Sequence, residues 1–61
     1  MIPVQINFNG KDYKGSYKVE KGIISVYYDF YHKNTQLGGH GQSPELLAQM
    51  ILREIIKDNN L

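Results

Sequence analysis

Ile2, Val4, Ile6 and Phe8 alternate with Pro3, Gln5 and Asn7 at the start of the chain. Period two with one apolar side is the pattern of a strand buried on one face. Asn9-Gly10 follows at once, the strongest short hairpin signal because both residues tolerate the positive φ of a type I′ turn. Tyr13, Gly15, Tyr17 and Val19 then alternate with Lys14, Ser16 and Lys18. After a second turn at Lys21-Gly22 the apolar series continues through Ile24, Val26, Tyr28 and Phe30. The spacing predicts strands over about 2–8, 12–20 and 23–31.

Two-residue loops at both turns fix the register. The first pairs Ile6 with Tyr13, Val4 with Gly15 and Ile2 with Tyr17. The second pairs Val19 with Ile24, Tyr17 with Val26, Gly15 with Tyr28 and Tyr13 with Phe30. Each pair joins two residues of the apolar face, whereas a one-residue slip would turn that face to water. Gly15 falls at the centre of the buried face, where the lack of a side chain lets another element approach closely. The opposite face then carries Gln5, Asn7, Asp12, Lys14, Ser16, Lys18, Ser25, Tyr27, Asp29 and Tyr31, with Lys14 set against Asp29 as a cross-strand ion pair.

Residues 32–43 connect the sheet to a helix. Asn34–Leu37 is long enough for a short fourth strand, and both a strand and a loop fit it. Gly38, Gly39 and Gly41 interrupt any regular element. Ser43-Pro44-Glu45 announces the helix, with Ser43 as N-cap, Pro44 at the first helical position and Glu45 near the positive end of the dipole. It should run to about Lys57, with Asn59 or Asn60 as the stop. At 100° per residue, Leu47, Ala48, Ile51, Leu52 and Ile55 form the stripe that faces the sheet. Leu46 and Met50 lie on a second flank, four residues apart, and Ile56 lies near the opposite edge. The expected fold is α+β: a single domain over 1–61 in which an antiparallel three-stranded meander, or a four-stranded one if 34–37 joins, packs on one C-terminal helix.

Composition narrows the functional classes. A chain of 61 residues has a thin core, and small domains commonly add disulfides, a metal or a partner subunit. Cysteine is absent, which excludes disulfides and thiolate metal sites. No apolar run reaches the length of a membrane span, and the N-terminus lacks the basic and apolar regions of a signal peptide, so the expected location is cytoplasmic. The net charge is +1. Residues 1–42 carry Lys11, Lys14, Lys18, Lys21 and Lys33 against Asp12, Glu20 and Asp29, while 43–61 carry Arg53 and Lys57 against Glu45, Glu54 and Asp58. A dedicated nucleic-acid binder shows a more basic face than this.

Candidate chemistry is sparse. His32 and His40 with Asp29 fall short of the three or four protein ligands that zinc sites use, so no metal or cofactor is expected. The glycines of 38–41 lead into a helix N-terminus, whose free N–H groups can hold an anion, but without a phosphate-loop pattern the segment reads as a crossover. Ser43 is occupied as a cap, and no nucleophile has an adjacent base. A core this thin is also not expected to carve a ligand pocket of roughly 300 Å³. No catalytic residue is therefore expected.

Two contact surfaces remain. Leu46, Met50 and Ile56, exposed beside the helix stripe, would form an apolar patch for a protein partner, either a second copy of the chain or a larger protein. Lys14, Lys18, Tyr27 and Tyr31 on the open sheet face combine charge with flat rings, as in sheet-based readers of single-stranded nucleic acid. In outline, a meander followed by Thr35-Gln36-Leu37-Gly38-Gly39 and a Ser43-Pro44-Glu45 helix start resembles the three-stranded-sheet-plus-helix DNA-binding domains of phage-type integrases, over residues 15–56. The resemblance implies a nucleic-acid role, but the chain lacks the density of Arg and Lys that those domains show. The expectation is a non-enzymatic interaction module, a homodimer or partner-docking domain, with weak nucleic-acid binding as the alternative.

Overall fold

The computed structural model describes residues 1–38 and 43–61. Four strands, β1 (Ile2–Phe8), β2 (Lys11–Glu20), β3 (Ile23–Tyr28) and β4 (Tyr31–Gln36), form one antiparallel sheet in the order β1-β2-β3-β4. A single helix, α1 (Pro44–Asp58), covers one face.

Turn chemistry explains the first two hairpins. Asn9 and Gly10 have φ of 55° and 79°, and Lys21 and Gly22 have 51° and 76°, the left-handed pair that a two-residue hairpin needs to match strand twist. The resulting registers, Ile6 on Tyr13, Val4 on Gly15, Tyr17 on Val26 and Val19 on Ile24, are those the apolar pattern predicts.

The third turn departs from the sequence reading. β3 stops at Tyr28, and Asp29-Phe30 forms another two-residue connection, with Asp29 at φ 56°. The fourth strand exists, but it begins at Tyr31 and not at Asn34. Three expectations change as a result. Phe30 does not pair with Tyr13 but stands 93% exposed at the turn tip; Tyr13 instead forms a T-shaped pair with Tyr28, ring centres 5.9 Å apart. Asp29 lies in the turn, so the strand position opposite Lys14 is not available to it. Tyr31, now opposite Tyr28, belongs to the helix side of the sheet.

β2 links two pairings that barely overlap. It pairs with β1 over Lys11–Tyr17 and with β3 over Ser16–Glu20. Gly15 sits where the second ladder ends, and a Cβ built there would lie 2.5 Å from the Tyr27 carbonyl oxygen and 3.4 Å from Leu52 Cδ1 of α1. The glycine is thus under the helix as expected, and the neighbouring strand's backbone is closer still.

The core joins Val4, Ile6, Tyr13, Tyr17, Ile24 and Val26 of the sheet to Ala48, Ile51, Leu52, Ile55 and Ile56 of the helix. Both helix ends are closed locally. Ser43 Oγ accepts a hydrogen bond from the Leu46 N–H. At the other end Asn60 takes φ 55°, while the Leu61 N–H donates to the Ile56 carbonyl and the Asn60 N–H to that of Lys57. This is a Schellman closure with Asn in the left-handed position. Asn59 Nδ2 adds a bond of 2.8 Å to the Ile55 carbonyl.

Candidate functional site

Helix geometry sets the first surface. With Ala48, Ile51, Leu52, Ile55 and Ile56 buried against the sheet, positions 46, 50, 53 and 57 share the opposite face at 100° per residue. Leu46 (59% exposed) and Met50 (50%) therefore stand on the crest of α1, directed away from the sheet, with Arg53 and Lys57 continuing the same line. Ile56 does not join them. At 1% exposure it is one of the most deeply buried side chains, a member of the core that joins helix and sheet. The candidate surface is a crest of two apolar residues followed by two bases, and not a flank that includes Ile56.

The second surface is the sheet face away from the helix. Tyr27 stacks on His32, ring centres 6.0 Å apart and planes 25° apart, because His32 is the direct cross-strand partner of Tyr27. Lys18 and Tyr27 lie on this face with Lys14, but Tyr31 does not, since the third turn rotates it to the other side. His32 takes the place that the sequence reading gave to Tyr31. Its partnership becomes legible only if Asp29-Phe30 is recognised as a turn. Lys18 Nζ lies 3.1 Å from Glu20 Oε1, and its hydrogen bond to that carboxylate raises the ammonium pKa. One of the two lysines on this face is thus already paired with a carboxylate.

On the helix side, Lys33 Nζ reaches Glu54 at 2.9 Å and Asp58 at 3.7 Å. The hydrogen bond to Glu54 raises the Lys33 pKa. All three side chains are substantially exposed, so solvent screens the cluster and its contribution to stability is small.

Two surface grooves are present, of about 350 and 420 Å³, larger than so thin a core was expected to allow. The first runs between the β1–β2 turn and the end of the helix, past Phe8, Tyr13 and Leu61. The second, beside Pro3, Gln5, Lys14, Glu45 and Gln49, contains no hydroxyl, thiol or imidazole. Among the described residues no group of three or more His, Cys, Asp or Glu is placed to hold a metal, and no helix is long and apolar enough to cross a membrane. His40 of the metal reading and Gly39 and Gly41 of the anion reading lie outside the described residues. Comparison with known proteins finds no matching family model, curated protein or solved structure.

Proposed function

We propose that this chain is a cytoplasmic, non-enzymatic protein-interaction module that docks through the crest of α1 into an apolar groove with an acidic rim on another protein. The observation that carries the reading is the adjacent exposure of Leu46 and Met50 on the helix face opposite a core that is already filled. Residues four apart on a helix form a continuous ridge. The crest is convex, which decides between partners. Against a second convex crest it buries two side chains per copy, a small fraction of the roughly 1,200 Å² of a stable interface. A groove also wraps the aliphatic stems of Arg53 and Lys57, and acidic rim residues answer their charges. Amphipathic helices engage grooves in this way in many recognition domains.

The test places a photoreactive benzoylphenylalanine at Met50 and, as a control, at Asp12 on the opposite face, in the cells that make the protein. Crosslinking from position 50 to one polypeptide, mapped to a groove lined by apolar and acidic residues and lost on Leu46→Lys, is the expected result. No crosslink from position 50, or the same products from position 12, refutes the reading. Leu46→Lys with Met50→Lys should leave the fold intact, within about 0.5 kcal/mol per exposed site, as read from the melting temperature.

The Tyr27–His32 stack favours one second reading, a weak single-stranded nucleic-acid contact in which Lys14 and Lys18 flank the stacked rings. A labelled oligonucleotide should then gain anisotropy at low salt and lose it steeply as salt rises. An unchanged signal at ~100 μM protein, beyond the usual range of non-specific binding, removes this reading.

A further inference from the structure

The two edges of the sheet are treated differently. In a two-residue antiparallel hairpin the residues flanking the turn exchange both backbone hydrogen bonds, and so does every second pair beyond them. For β1 this turns the backbone groups of Pro3, Gln5 and Asn7 outward. That edge is blunted twice: Pro3 has no N–H, and Gln49 Nε2 of the helix donates to the outward Gln5 carbonyl at 3.3 Å. For β4 the same phase, continued by the Leu37 N–H bonded to the Gly22 carbonyl at 2.7 Å, turns His32, Asn34 and Gln36 outward. Among the described residues nothing is hydrogen-bonded to that edge. Edge strands usually carry a proline, a bulge or a projecting charge to prevent pairing. β4 has no proline, and its one charged side chain, Lys33, is held over the helix by Glu54 and Asp58.

We propose that β4 is a strand-pairing edge and that its occupant is β4 of a second copy, antiparallel about a two-fold axis at Asn34. This register uses every outward group: Asn34 pairs with Asn34 of the second copy, and His32 with Gln36 in both directions. On the helix side Lys33 falls beside Thr35 of the second copy, so no like charges meet across the junction. The same patch faces itself, as a closed dimer requires. The two sheets become one of eight strands, with both helices on the same face and both Leu46–Met50 crests still outward. The contact is therefore independent of the crest reading.

Sedimentation equilibrium on the full chain tests it, with three variants beside the wild type. Asn34→Pro removes an outward N–H and no bond within the sheet. Asn34→Lys brings like charges together on the axis. Leu46→Lys with Met50→Lys alters only the crest. Circular dichroism confirms that each is folded, and Asn34→Lys keeps the test sound if the proline variant is not. The expected result is a wild-type dimer that both Asn34 variants weaken at least tenfold and that the crest variant leaves unchanged. A wild type that stays monomeric at ~1 mM, where even feeble specific contacts are populated, overturns the proposal. So does a dimer that both edge variants preserve; if the crest variant dissolves it, the contact belongs to the helix instead.

Discussion

Gly15→Ala should destabilise this protein, against the usual sign of that change. In an ordinary strand interior alanine is favoured over glycine by roughly 0.5–1 kcal/mol, because glycine loses more backbone entropy on folding. Here the new Cβ would stand 2.5 Å from the Tyr27 carbonyl oxygen, a backbone atom that cannot rotate away. One of the two ladders meeting at β2 must shift. The expected loss is about 1–3 kcal/mol, and Gly15→Leu should lie at or beyond the upper end because its side chain also enters the space of Leu52. At roughly 0.05–0.15 kcal/mol per residue the whole fold is worth only about 3–9 kcal/mol. Thermal unfolding reads the effect directly. A midpoint equal to or above that of the parent would mean that β2 and β3 do not approach at this residue.

Leu52→Ala is the second large effect. Leu52 is 0% exposed, one of the largest fully buried side chains, and the helix residue nearest Gly15. Truncation leaves a cavity between α1 and the sheet, and such changes cost about 2–5 kcal/mol depending on how far the surroundings relax. For a chain of this size that removes most of the margin, so urea unfolding should begin without a native baseline or nearly so. A midpoint little changed would show that the helix is not seated where the structure places it. The double change adds information. Because the closest obstacle at Gly15 is the Tyr27 backbone and not Leu52, Leu52→Ala should not rescue Gly15→Ala. A rescue of 1 kcal/mol or more, measured as the departure from additivity, would move the obstacle to the helix side chain.

The sequence by itself determined those features whose cause is local. Asn9-Gly10 and Lys21-Gly22 specify hairpin turns by backbone conformation alone. The period-two alternation then leaves one register for β1 on β2 and for β2 on β3, since a slip of one residue exposes the whole apolar set. Ser43-Pro44-Glu45 and Asn59-Asn60 mark the helix ends by the hydrogen bonds they satisfy. Leu46 and Met50 are set apart from the buried stripe by spacing alone, and the structure leaves both half-exposed.

Tertiary structure decided the rest. Asp29-Phe30 contains no glycine, and Phe30 falls where the alternation calls for an apolar residue, so nothing local separates a strand that continues from one that turns. The turn becomes legible only in the pairing it produces, in which Tyr31–Gln36 runs back along β3. That one reversal moves Tyr31 to the helix side, brings His32 onto Tyr27, and aims Lys33 at Glu54 and Asp58. Ile56 was likewise ambiguous on a helical wheel, and only its place in the core between helix and sheet decides its burial. The unequal edges have the same origin. Pro3 is visible in the chain, but that Gln49 covers Gln5, while no described residue is hydrogen-bonded to the outer edge of β4, depends on where the helix comes to rest on the sheet.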